Sequence, residues 1–421
     1  MGALCCKQDE IDYSQGPELG HFHLQKIIGK GVFGKVRIVQ HKRTKKKYAL
    51  KYINKSICIK QKAIGNIILE RNILERIDYP LIANLRYAFQ DDETIFMALD
   101  LMLGGDLRFQ LDQQVTFHEL QVRHHVASIA LSLDYLHKKR IAHRDIKPEN
   151  ILIDKKGYAH LSDFNIAIQF TASQPLSWSM AGTMAYMAPE MLARKGYSTA
   201  VDWWSLGIVT YELLFGMRPY LAPSKEALAH AIIHEPLVFP NHVYDSVSKE
   251  CIDVISGVSG RWNINLLDKS PFQRYGGCNT DGFQEFKAHP WFRGLDWDLL
   301  EHKQLTPPIR PDKNNKLRNL IKDQQRYQDD GLKSHKRISP VKTSTLDTFS
   351  PVTEEARFRM QLEDQFAEFD FTQHQMVEGG QDPFSQFFEQ RRNSLRRQYD
   401  RFKRRSQCSY QDLPVTPPYS D

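Results

Sequence analysis

Apolar and polar positions alternate through much of the first hundred residues. "FHLQKIIGKG" from residue 22, "FGKVRIVQHK" from residue 33 and "KYALKYINK" from residue 47 each carry stretches of the two-residue period of a strand. The charged run "HKRTKKK" between the second and third segments marks the outer end of a hairpin. The period then changes. "AIGNIILERNILERI", residues 63 to 77, brings Ile67, Leu69, Ile73, Leu74 and Ile77 to roughly helical spacing and predicts an amphipathic helix. Helical patterns dominate from about residue 104 to 292. The most apolar long stretch, "VDWWSLGIVTYELLFGM", is interrupted by Asp202 and Glu212 and is short for a membrane span, so it predicts a buried core helix. After "HPWFRGLDWDLL" the composition shifts. From about residue 305 the chain is rich in charge, Gln, Pro and Ser, which predicts a largely disordered tail that wraps or dangles. The pattern divides the chain into an N-terminal segment 1–21, a folded body 22–292 and a tail 293–421. It predicts an α+β body, small and β-rich at first, larger and helical afterwards.

Composition adds little to this. Of 421 residues, 41% are hydrophobic and 25% charged, which suits a globular body with a sizeable core. A net charge of +7 is compatible with an acidic lipid, a nucleic acid, a phosphate-bearing substrate or a merely solvated surface. None of the six cysteines falls in a C-x-x-C pair, which argues against a structural zinc site. With no secretory signal pattern at the N-terminus, free thiols in a reducing compartment are expected.

Three local patterns carry chemistry. The first is "IGKGVFGKV", comprising Ile28, Gly29, Lys30, Gly31, Val32, Phe33, Gly34, Lys35 and Val36. A Gly-x-Gly-x-x-Gly run followed by a strand, and not by a helix, suits a flap over a triphosphate better than a dinucleotide site. By itself it is also compatible with an ordinary glycine-rich hairpin. The second is Lys51 in "YALK", whose ammonium needs a carboxylate to hold it against phosphates. Glu70 on the predicted helix supplies one. The third is "HRDIKPEN", residues 143 to 150. Asp145 is placed to accept a hydroxyl proton, Asn150 to reach a Mg²⁺ ion, Lys147 to neutralise a transferring phosphoryl group and Arg144 to contact a phosphorylated segment. Asp163 in "DFN" is the second expected metal ligand. One Asp, one Asn and nucleotide phosphates are a sufficient donor set for Mg²⁺.

Loop, Lys, Glu, "HRDIKPEN" and "DF" in this order resemble the protein kinase family over roughly residues 22–292. The resemblance implies the bilobal protein kinase fold, ATP and Mg²⁺ as cofactors, and transfer of the ATP γ-phosphate to Ser or Thr of protein substrates in intracellular signalling, with no nucleic-acid partner and a monomeric state. It implies that "APE" at Ala188–Glu190 closes an activation segment, that Asp202 braces the catalytic loop and that Arg274 partners Glu190. "LDLMLGG" reads as the hinge, with Asp100 and Met102 offering backbone groups to adenine, Asp106 as the ribose acid and Leu99 as the gatekeeper. "LGGDL" and "RYGG" resemble the AGC group, and "DFNIA" together with "FQDDETIFMALDLMLGGDLR" resembles the serine/threonine-protein kinase 32, or YANK, subfamily. "ISGVSGRWNINLLDKSP" looks longer than its AGC counterpart. Ser179 stands where many AGC kinases carry a phosphorylated Thr, which leaves activation by that route open.

Asn165 occupies the position where the pattern normally has Gly. Asn tolerates the left-handed backbone that Gly allows, so Asn165 is expected to alter how often the Asp-Phe pair flips without abolishing transfer. A nucleotide-binding scaffold without activity is the competing reading.

"FAEFDF", residues 366 to 371, resembles the AGC hydrophobic motif, whose aromatics dock beside the Glu70 helix. Asp370 stands where a phosphorylated residue often sits. A chance aromatic cluster is the alternative. The basic run "RRNSLRRQYDRFKRR" suits either anionic lipid or plain solvation, and Ser394 within it suits a basophilic kinase. "MGALCCK" approximates a myristoylation pattern at Gly2, with Cys5 and Cys6 placed for S-palmitoylation. The expectation is a cytoplasmic protein held at a membrane through this acylated end.

Overall fold

The alternating segments pair as one antiparallel sheet. β1 (Phe22–Lys30), β2 (Gly34–His41) and β3 (Lys47–Asn54) are followed by α1 (Lys55–Lys60), α2 (Ile64–Glu75), β4 (Leu85–Gln90) and β5 (Thr94–Asp100). The computed structural model describes residues 16–31, 34–61, 63–241, 243, 247–257, 265–275, 282–308, 332 and 369–372. In the sheet the strand order is β1-β2-β3-β5-β4, and a short tail strand, β10 (Phe371–Thr372), adds to β4 at the edge. The period of two decides which side chains face which way. Tyr48, Leu50 and Tyr52 of β3 join Phe22, Val39, Phe89 and Phe96 in a buried cluster on one face. Lys51, between them, therefore points to the opposite face, toward the helical part.

The helical part comprises α3 (Leu107–Gln114), α4 (Glu119–Lys138), α5 (Pro189–Leu192), α6 (Val201–Phe215) and α7 (Lys225–His234), with further helices at Lys249–Ser256, Gly282–Ala288 and Trp297–Glu301. Short strand pairs β6 (Ile141–Ala142) with β9 (Ile168–Gln169) and β7 (Ile151–Ile153) with β8 (Ala159–Leu161) bracket the loops that carry the chemistry. The apolar stretch at 201–217 is the buried helix α6, whose residues Val201 to Leu214 are all buried. It ends at Gly216, in left-handed conformation with φ 70°. Among the described residues no helix is long and apolar enough to cross a membrane. This small antiparallel sheet followed by a larger helical body is the bilobal architecture expected.

The predicted helix at 63–77 forms, and its buried face departs from the expected one only at Leu69. Ile67, Ile73 and Leu74 are buried, and Ile77 is buried beyond its end. Leu69, by contrast, is 37% exposed. Glu70 and Arg71 take buried positions on α2 instead, and both are satisfied there by partners. Burial of a paired charge replaces burial of an apolar side chain, which a hydrophobicity pattern does not register.

Candidate active site

The glycine loop joins β1 to β2, with Gly29 opposite Val36 and Lys30 opposite Lys35. Ile28 and Val36 are half-buried. Gly31 donates its N–H to the Gly34 carbonyl at 2.7 Å, which closes the turn. Val32 and Phe33 lie outside the described residues. Gly29, Gly31 and Gly34 all avoid the left-handed region. The sterically required glycine is Gly34, where a Cβ would overlap the Tyr52 carbonyl oxygen of β3. The glycine requirement is thus close packing against the neighbouring strand, not unusual torsions.

Val36 and Lys51 are direct partners across β2 and β3. The Lys51 ammonium reaches both carboxylate oxygens of Glu70, at 2.7 and 3.0 Å, and lies 3.6 Å from Asp163 Oδ1. Burial alone would lower the Lys51 pKa, but the charges of Glu70 and Asp163 outweigh it and hold the ammonium above its ordinary range. Sheet, α2 and the Asp163 segment therefore meet at one cation.

The catalytic loop is held from below by Asp202, fully buried on α6. Its Oδ2 accepts the N–H of His143 at 2.9 Å and its Oδ1 the N–H of Arg144 at 2.8 Å, while His137 Nε2 lies 2.9 Å from Oδ2. Burial would raise the Asp202 pKa, but these partners lower it below the ordinary range. Arg144 adopts a left-handed backbone with φ 67°, a conformation that the Asp202 contacts hold in place. The next residue, Asp145, has both carboxylate oxygens filled by donors. Oδ1 accepts from Thr183 N–H at 3.1 Å and from the Thr183 hydroxyl at 2.8 Å. Oδ2 accepts from Lys147 at 2.7 Å and from Asn150 Nδ2 at 3.0 Å. Burial pushes the Asp145 pKa up, yet Lys147 and Thr183 more than offset it, and the carboxyl is depressed and ionised. Asn150 also gives Nδ2 to the Asp145 carbonyl at 2.8 Å, which turns its amide oxygen the other way.

Asp163 follows Ser162, whose N–H and hydroxyl both bond the Asn150 carbonyl, at 3.0 and 2.9 Å. That stitch keeps the two expected metal ligands side by side. Asp163 itself is left-handed, with φ 63°. Phe164 is buried against His143, with ring centroids 4.9 Å apart. Asn165 is not left-handed; its Nδ2 lies 3.5 Å from Asp163 Oδ2. The left-handed torsion that Asn tolerates is not used at residue 165; it falls on Asp163, two residues earlier. Asp163 and Asn150 present hard oxygen donors. Among the described residues no group of three His, Cys, Asp or Glu gathers as a cage. A divalent ion here would draw most ligands from water and phosphate, which fits Mg²⁺.

At the hinge, the Asp100 carboxylate is engaged by Arg86, at 2.7 and 2.5 Å, so only its backbone faces ligand duty. Leu99 ends β5 next to it, and Met102 is half-buried in the following loop. Asp106 caps α3 by accepting the Phe109 N–H at 2.7 Å, and burial raises its pKa. Glu190 and Arg274 pair at 2.7 and 3.1 Å with both side chains almost fully buried. Arg144 reaches the Ser179 hydroxyl at 2.7 Å, which ties the catalytic loop to the activation segment without a phosphate.

Three further side chains complete the site. Thr183 orients Asp145. The His143 ring bridges the Asp145 N–H and the Ser162 carbonyl, at 3.3 and 2.9 Å. Arg71 on α2 gives its guanidinium to the tail carbonyls of Phe369 and Asp370, at 3.0 and 3.1 Å. His143 was visible as part of "HRD" and Thr183 as part of the "GT" at 182–183; Arg71 acts across a long separation that no local pattern signals. Gly2, Cys5, Cys6, Phe366, Ser394 and the basic run lie outside the described residues.

Residues 22–292 match the protein kinase domain family. The chain is 40% identical over 318 residues to human serine/threonine-protein kinase 32C, covering 74% of this chain and 62% of that one. It is 40% identical over 312 residues to human serine/threonine-protein kinase 32B, covering 73% and 72%. A probable serine/threonine-protein kinase of Dictyostelium discoideum is 37% identical over 338 residues, covering 80% and 70%. The chain thus spans between 62% and 72% of the length of these relatives.

Proposed function

This chain belongs to the protein kinase family as a serine/threonine kinase, and we propose that the cluster around Asp145 transfers the ATP γ-phosphate to Ser or Thr of protein substrates. The observation that carries this reading is the Asp145 carboxylate, ionised and held by four donors from Thr183, Lys147 and Asn150. A carboxylate so oriented accepts the proton of an acceptor hydroxyl as its oxygen bonds the γ-phosphorus and the bond to the bridging oxygen of ADP breaks. Lys147, already at Asp145, offers its cation to the moving phosphoryl charge. Lys51, held by Glu70, anchors the nucleotide phosphates. Gly34 lets the β1–β2 flap pack closely against β3. Asp163 and Asn150 would hold Mg²⁺, which when bound neutralises phosphate charge. Asp100 and Met102 offer backbone groups to adenine, and Asp106 shares its carboxylate between the α3 cap and the ribose.

The test compares Lys51→Met and Asp145→Asn with the parent protein. Both should stay folded by circular dichroism. Asp145→Asn should lose transfer to a mixed Ser/Thr peptide pool by roughly 10²-fold or more while still binding nucleotide. Undiminished transfer by either variant would overturn the assignment and favour a nucleotide-binding scaffold.

The sequence also supports a proposal about location: Gly2 is myristoylated, and Cys5 and Cys6 supply the second, palmitoyl signal that stable attachment of a cytoplasmic protein requires. Gly2→Ala should shift the protein from the membrane fraction to the soluble one. An unacylated N-terminus by mass spectrometry would end that idea.

A further inference from the structure

Beside the catalytic loop the structure gathers two carboxylates on one cation. Arg108, on the first turn of α3, gives Nε to Glu149 Oε1 at 2.9 Å and Nη2 to Glu212 Oε1 at 2.9 Å. The same Nη2 reaches the Tyr186 hydroxyl at 2.8 Å, and Tyr186 donates to Glu212 Oε2 at 2.5 Å. Two members of this cluster adjoin the residues around Asp145 in sequence. Glu149 is four residues past Asp145 and adjacent to Asn150, and Tyr186 lies three residues past Thr183, which orients Asp145.

Arg108 is not there for its helix. A cation in the first turn opposes the helix dipole, so tertiary partners must account for its place. Nor does the cluster resemble a closed structural clamp. Glu190 and Arg274 pair with side-chain exposures of 5% and 0%, whereas Glu149 and Arg108 are 44% and 27% exposed. The Arg108–Glu149 side of the cluster is open to solvent, while Glu212 and Tyr186 are buried beneath it. Two carboxylates at one spot form a site for a guanidinium.

We infer that Arg108 fills, from within the chain, the acidic subsite beside the acceptor, so that this kinase selects Ser/Thr segments without an arginine at the flanking position. The inference rests on the phosphoryl-transfer reading above and names the substrate class for that site. Arg108 is a specificity-determining residue here, and Glu149 and Glu212 are the acids it masks.

The experiment uses the full chain and peptides with one central Ser in an Ala-rich frame, with Arg moved singly through each flanking position. Two quantities are read: kcat/KM for each peptide relative to the Arg-free one, and peptide Kd measured without ATP, which needs no transfer. The parent protein should show a ratio near one throughout. Arg108→Ala should gain a preference of roughly tenfold or more at a single position, and adding Glu149→Gln should remove most of that gain. Arg108→Gln repeats the measurement with a polar side chain, in case the truncated variant does not fold. A parent protein that already selects Arg through Glu149, or a folded Arg108 variant with a flat profile in both quantities, overturns the inference. No transfer by the parent to any peptide, with the gain still present in Kd, would fail the kinase reading and leave the subsite standing.

Discussion

Asn165 stands where the family pattern has glycine, yet the backbone there asks for nothing that only glycine supplies. The left-handed residue is Asp163, with φ 63°, and Asn165 merely brings Nδ2 to 3.5 Å from the Asp163 carboxylate. That separation is at the outer limit of a hydrogen bond and carries little energy. The Asn165 Oδ1 is buried with no hydrogen-bond partner among the described residues, which is a small cost. Asn165→Gly removes a weak contact and an unsatisfied acceptor together, while freeing the backbone. It should keep kcat within roughly tenfold and tighten binding of inhibitors that require a displaced Asp163, read from steady-state kinetics and inhibitor Kd. A folded Asn165→Gly protein with no activity would show that the amide acts directly on nucleotide or metal. At this scale the sequence was informative wherever residues cluster locally, as in 143–150. It was silent where partners are far apart. Glu149 was legible only as part of "HRDIKPEN"; its pairing with Arg108, 41 residues away, depends on how α3 docks.

Helix α2 shows the same divide one level up. Its existence and the burial of Ile67, Ile73 and Leu74 followed from the apolar period, and Glu70 was expected to pair with Lys51; the burial of Arg71, with Leu69 left exposed, was not foreseen. Glu70 looks toward Lys51; Arg71, its neighbour, looks toward the tail. Arg71 holds the Phe369 and Asp370 carbonyls, Phe369 is 2% exposed in the main core, and Phe371 and Thr372 extend the sheet beside Ala88 and Tyr87. Docking here was one of two readings of "FAEFDF", raised by its resemblance to the AGC hydrophobic motif, and Phe369 takes that place. The two-residue strand was not foreseeable, because so short a segment has no period. Since one helix carries both contacts, loss of the tail should loosen the Lys51–Glu70 pair. Phe369→Ala removes a buried ring, a change worth about 3–5 kcal/mol in a packed core. Phe369→Ala and Arg71→Ala should each raise amide exchange across Ile64–Glu75 and lower kcat several-fold. Unchanged exchange in both would detach the tail from control of α2.

Across the whole molecule, buried histidines lie in both parts of the body and tie its stability to pH. His41, at the end of β2, has its pKa pushed down to about 4 by burial, reinforced by His21 and Arg43. On α4, burial pushes His124 down to about 4, partly offset by Asp154, and His125 down to about 3, reinforced by His124. In the unfolded chain all three return to ordinary histidine behaviour, near 6.5. The unfolded state therefore binds more protons as pH falls below about 6.5, so the stability present at neutral pH declines toward pH 4. At pH 5 the loss is on the order of 2 kcal/mol for each of these histidines, and together they consume a large share of a typical 5–15 kcal/mol. Depressed carboxyls act in a separate, lower window. Asp145 and Asp202 keep their contribution until pH falls below the ordinary carboxylate range. Urea unfolding at pH 7 and pH 5 should thus show a marked drop in midpoint before the depressed carboxyls of Asp145 and Asp202 protonate. His124→Phe removes one titrating group while keeping a ring beside Tyr158, 5.5 Å away. It should shrink the difference between the two pH values by about 2 kcal/mol. An unchanged difference in that variant would mean that His124 takes up its proton in the folded protein, and that burial on α4 does not set the acid limit of this kinase.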